Sequence, residues 1–60
     1  MASVIGKIVA KAAKGIAKWG VKNWNKIVSY VKAHWKEIGG LIIEMGVWEV
    51  IEYVAELLGL

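Results

Sequence analysis

Lysine and tryptophan are the residues with chemistry to offer in this 60-residue chain. Lysines fall at positions 7, 11, 14, 18, 22 and 26, spaced by four, three, four, four and four. At about 100° per residue, that spacing traces a slowly drifting stripe on one side of a helix. Such a stripe attracts anionic surfaces, by about 1 kcal/mol per lysine near an anionic lipid leaflet. Trp19, Trp24, Trp35 and Trp48 all lie in segments that read as helix. Indole is favoured where one edge is apolar and the other wet, the lipid headgroup boundary included. The four tryptophans, together with Lys7, Lys11, Lys14, Lys18, Lys22 and Lys26, are therefore the candidate membrane-binding residues.

Other chemistry finds little material. The chain has one histidine, His34, and neither aspartate nor cysteine. Ser29 and His34 are five positions apart, too far around a helix to act as nucleophile and base. Glu49, Glu52 and Glu56 share a helical face, but without histidine support a solvated acidic face is the better reading. Neither GxGxxG nor a phosphate-binding P-loop is present. Nucleic acid would need base-reading and phosphate-reaching groups, and the chain lacks arginine and carries a formal charge of only +3. The sequence thus predicts no catalytic, cofactor or metal site, no small-molecule substrate and no nucleic-acid partner.

The net charge hides an asymmetry. Residues 1–30 hold six lysines and no acid, whereas residues 31–60 hold two lysines and five glutamates. Solvated helices usually interleave Glu and Lys at i,i+4, which the first half cannot do. Lysines in a first turn also oppose the helix dipole, so they are not there to stabilise it. The apolar fraction, 58%, is high for a chain this short. No run of about 18 uncharged apolar residues exists to span a bilayer. Lysines recurring through the first helix argue against a secretory signal, so export would need a dedicated transporter.

The elements that must carry these residues are helices. Ser3 is placed to cap a first helix over about residues 3–14, with Ile5, Ile8, Val9, Ala12, Ile16 and Trp19 following at helical spacing. Gly15 and Gly20 read as joints, and a short second helix is expected over about 16–22. Asn23 or Asn25 starts a third, whose apolar face is Trp24, Ile27, Val28, Val31, Trp35 and Ile38, and Gly39-Gly40 ends it. A fourth runs from Leu41 to Leu58, with Ile43, Val47, Val50, Ile51, Val54 and Leu58 inward and a weak point at Gly46. No segment alternates as a strand does. The expectation is one all-α domain over residues 1–60, a compact bundle of about four short amphipathic helices, with the acidic last helix packed beside the basic ones.

Three stretches carry a family resemblance: Ala17-Lys18-Trp19-Gly20 followed by Lys22, Trp24-Asn25-Lys26-Ile27-Val28, and Val47-Trp48-Glu49-Val50-Ile51 through Leu57-Leu58-Gly59-Leu60. With the absence of cysteine, they make the chain resemble the leaderless bacteriocins of the lacticin Q and aureocin type. That resemblance implies a saposin-like cluster of four helices, translation without a leader (as Met1-Ala2 would suit), secretion, and permeabilisation of Gram-positive membranes without a protein receptor. Here the first helix is longer, and the last is acidic where the family's is usually basic. The implied partner is the anionic bilayer of target bacteria, with self-association in the membrane compatible with it. One alternative is a circular bacteriocin joined from Leu60 to Met1, because Val54, Leu58, Met1, Ile5, Ile8 and Ala12 would continue one apolar stripe across the junction. Loss of one water from the linear mass would reveal it. Another is a non-lytic membrane-associated interaction or immunity peptide. A designed mini-protein would show tidy caps and paired Glu/Lys positions, which are missing.

Overall fold

The computed structural model describes the backbone of residues 2–60 and the side chains of 4–60. Five helices follow one another: α1 (Ala2–Val9), α2 (Ala12–Trp19), α3 (Val21–Ala33), α4 (Trp35–Met45) and α5 (Val47–Leu57). No strand occurs among the described residues. The protein is an all-α bundle with extents of 25 × 20 × 19 Å.

The core is assembled around α3, which packs against all four other helices. Trp24, Ile27 and Val31 are buried on α3, Ile8 on α1, Ile38 on α4, and Val50, Ile51, Val54 and Ala55 on α5. These are the 3-4 spacings of amphipathic helices turned to one centre. No polar or charged residue is buried among the described residues, so the fold rests on apolar burial rather than on an internal polar network. α2 contributes only Gly15 to the buried set and is the helix least committed to the core.

The helix count and boundaries differ from the expectation. The expected first helix bends early, at Ala10–Lys11, where Ala10 N donates to Gly6 O and Lys11 N to Ile8 O. Its backbone helix already includes residue 3, so that residue does not precede the helix. The cap expected of the Ser3 side chain, the state of Met1 and its junction with Leu60 lie outside the described residues.

Gly15 is not a joint. It sits inside α2, buried, with the Trp24 ring filling the space a Cβ would take. Gly39-Gly40 ends nothing either. Both residues lie within α4, and α1 comes close enough there that a Cβ on Gly39 would stand 3.3 Å from Val4 Cγ2. Packing against a neighbouring helix outweighs the roughly 1 kcal/mol helix penalty of each glycine. The chain breaks instead at His34, where the backbone N–H is shared between the Tyr30 and Val31 carbonyls. No breaker residue marks that spot. The change of direction lets Ile38 on α4 reach the core that Ile27 and Val31 occupy from α3.

Gly46 does more than weaken a helix. With φ 92° and ψ 160°, it ends α4 and starts α5, and Gly20 does the same between α2 and α3. That backbone region is essentially reserved for glycine. L-alanine at 46 would meet no neighbour yet would be strained. It is expected to cost about 1–3 kcal/mol, whereas D-alanine, made by chemical synthesis, should be neutral or stabilising. Thermal melts of the two synthetic chains check this; equal melting temperatures would refute the assignment.

Four members of the expected apolar faces turn outward: Ile43 is 87% exposed, Val9 46%, Ile16 37% and Leu58 36%. The helix breaks rotate α2 and α4 relative to the periods read across them, and Val9 and Leu58 stand at the ends of α1 and α5.

Candidate functional site

Lys7, Lys11, Lys14, Lys18, Lys22 and Lys26 are all exposed on α1–α3 and the turn between α1 and α2. Each lies opposite or beside a residue that the 3.6-residue period sends to the core, which is how one period creates both faces. Among the described residues, Lys18 is the one lysine in an ion pair.

The tryptophans separate into two kinds. Trp24 is 4% exposed and belongs to the core, wedged on Gly15. Its expected place at the surface is therefore corrected, because a cavity opened by a glycine on α2 takes up the ring. Trp19, Trp35 and Trp48 are half-buried. The rings of Trp19 on α2 and Trp48 on α5 lie 5.5 Å apart, tilted by 31°, although 29 positions separate them in the chain. Lys14 Nζ stands 4.3 Å from the Trp48 ring centre, and Lys18 Nζ 5.0 Å from that of Trp19. Lys36 lies 5.6 Å from the ring of Trp35. A cation over an aromatic face gains about 0.5–1 kcal/mol at an exposed site. The α2–α5 junction is therefore a surface cluster of two cations on two indoles.

One acid completes the cluster. Lys18 Nζ donates to Glu52 Oε2 at 2.7 Å, with both side chains about half exposed. The hydrogen bond from Lys18 holds the Glu52 carboxyl below its ordinary value; desolvation opposes this, while the charge of Lys18, the nearby polar edge of Trp48 and the charge of Lys14 add to it. The acidic helix does pack beside a basic one, as expected, but the charge compensation is local. Elsewhere on the surface, His34 Nδ1 lies 3.9 Å from Glu37 Oε2 on α4.

A lowered carboxyl stabilises the fold above its unfolded value, and that contribution is lost as pH falls through the folded value. The pair is solvent-screened, so its effect is small and salt-dependent. Glu52→Gln should lower the melting temperature at neutral pH in low salt, with the difference from the unsubstituted protein vanishing in about 1 M salt and at pH values below the carboxyl range. Glu56→Gln should leave it unchanged, because no ion pair holds Glu56. Equal melting of Glu52→Gln and the parent in low salt would sink the pair's role.

A concavity lies along α3. Asn25, Lys26, Ser29, Tyr30, Ala33, His34 and Leu58 line an open groove of about 500 Å³. The Tyr30 and His34 rings lie 4.3 Å apart. Ser29 and His34 thus share a groove although no hydrogen bond joins them. Glu49, Glu52 and Glu56 do not come together with other ligands as a metal-holding group among the described residues.

Sequence reasoning found the lysines and the amphipathic faces. It missed the Trp19–Trp48 pair and the Lys18–Glu52 contact, for which no local signal exists, because both depend on how α2 meets α5. No protein-family model, curated protein or solved structure matches this chain. Among the described residues, no helix is long and apolar enough to cross a membrane.

Proposed function

We propose that the protein is a secreted antimicrobial peptide of the bacteriocin kind, which binds the anionic membranes of target bacteria and permeabilises them. The observation that carries this reading is the exposed Lys/Trp surface: six lysines on a stretch that contains no acid, with half-buried indoles beside them. Lysines 7, 11, 14, 18, 22 and 26 bring the bundle to the bilayer. Trp19, Trp48 and Trp35 then settle at the headgroup boundary, where an amphipathic ring is favoured. Trp24 stays in the core, so the surface role falls on three indoles. A folded bundle with no spanning helix acts from the interface, by spreading headgroups and thinning the lipid until ions leak.

Dye release from vesicles tests the reading. Release from phosphatidylglycerol-containing vesicles at micromolar protein is expected, with little from purely zwitterionic ones. No release from anionic vesicles, together with no growth inhibition of Gram-positive cells, overturns it. The exposed glutamates of α4 and α5 favour a second reading, a non-lytic peptide that binds a protein partner and protects its producer. Added protein would then shield cells rather than kill them.

A further inference from the structure

The chain is divided by charge: all eight lysines lie within residues 7–36 and all five glutamates within 37–56. The fold brings one edge of each part together where α2 meets α5. Along that edge the contacts form a ladder. Lys14 lies over Trp48, Lys18 binds Glu52 one helical turn further on, and beyond it opens a notch of about 340 Å³ lined by Lys18, Trp19, Glu52, Ala55, Glu56 and Leu60. The steps are four residues on each helix, so the two elements advance together by one turn. Lys14 therefore stands at one end of the ladder and Glu56 at the other. The middle rung is neutral by internal pairing. Leu60 is held at the Glu56 end by its N–H, which donates to Ala55 O at 2.9 Å.

A surface with a cation at one end, an anion at the other and an internally paired rung between them is complementary to itself. A second copy turned by 180° about an axis that lies in this face and crosses the Lys18–Glu52 rung sets Lys14 of each copy against Glu56 of the other, as an isologous contact requires. Apolar surface beside the charges comes from the Trp19–Trp48 pair and, at the anionic end, from Leu60, which remains 38% exposed in one copy. We propose that two copies of this chain associate through this face, Lys14 of each opposing Glu56 of the other. The attraction acts between exposed charges, so it is weak and is screened by salt. Glu49, next to Trp48, adds an acid at the cationic end and weakens it further. This pairing does not depend on the membrane reading. If both hold, lipid and the second copy compete for Lys14, Trp19 and Trp48.

Sedimentation velocity without lipid tests the proposal. From about 10 µM to about 1 mM protein in about 20 mM salt, the mass should climb from 6.6 kDa towards twice that value, and in about 0.5 M salt it should stay near the monomer. Lys14→Glu alone and Glu56→Lys alone should each remain monomeric, because like charges then meet twice across the axis. An equimolar mixture of the two should associate, because both contacts become opposite-charge pairs again. A parent protein that is monomeric throughout in low salt, single variants that associate like the parent, or a mixture of helical variants that stays monomeric would each overturn it. If circular dichroism shows a charge-reversed chain unfolded, Lys14→Gln and Glu56→Gln replace it. Each should weaken association, and unchanged association would overturn the proposal.

Discussion

Gly15→Ala should destabilise the bundle by about 1–3 kcal/mol, the usual cost of forcing atoms into a filled core. For a domain of this size that lowers the melting temperature by roughly 4–8 °C per kcal/mol. On helix propensity alone the change should help, since alanine is favoured over glycine by about 0.8–1.0 kcal/mol inside a helix. Position decides the sign. A Cβ at 15 would collide with Cε3 and Cζ3 of the Trp24 ring. The neighbour is a rigid ring, 4% exposed, and not the far end of a flexible side chain. A thermal melt followed by circular dichroism reads the effect, and an unchanged or raised midpoint would falsify the close approach. The cause can be isolated. Trp24→Leu by itself should be destabilising, because it empties part of the core. In that background Gly15→Ala should turn neutral or favourable, because the ring that opposed the Cβ is gone. A double-mutant cycle with no coupling between the two positions would also reject this account.

Replacing Lys7, Lys11, Lys22 and Lys26 together by glutamine should weaken partition onto anionic vesicles by about 10³-fold in low salt, from about 1 kcal/mol per lysine. These four are chosen because they are exposed and outside the Lys14–Lys18 cluster, so their removal should leave the helical content intact. The loss should shrink as ionic strength rises and the Debye length contracts to a few ångströms. Lys18→Gln should behave differently. It removes one charge of the lysine stripe and also the hydrogen bond to Glu52, so it should change both partition and stability. Vesicle co-sedimentation with a salt series measures the first effect. Unchanged partition of the fourfold variant would mean that the lysine stripe is an ordinary solvated face.

Particular residues indicate how far the sequence could be read. Val50, Ile51 and Val54 were legible as a core face because their spacing is set by the helix itself, and the same holds for Trp24, Ile27 and Val31. The exposed lysines were legible for the complementary reason, since a side chain opposite an apolar stripe has nowhere to go but water. Glycines were the weak point. Gly20 and Gly46 do break the chain, whereas Gly15, Gly39 and Gly40 do not, and nothing in the local sequence separates the two sets. A glycine either supplies a backbone angle or makes room for a neighbour, and the choice depends on what is packed against it.

The amino-acid sequence by itself determined that this chain is helical, basic in its first part and acidic in its last, with an apolar face on each helix. Period and composition act through the nearest turns of the backbone, so they can be read locally. Tertiary structure alone decided that the Trp24 ring lies against Gly15 and that Trp19 pairs with Trp48. It also decided that His34 breaks a helix and that Lys18 finds Glu52. Each of these depends on contacts between elements distant in the chain, or on a direction change that serves such contacts, and close packing selects among arrangements that the hydrophobic pattern leaves equally open.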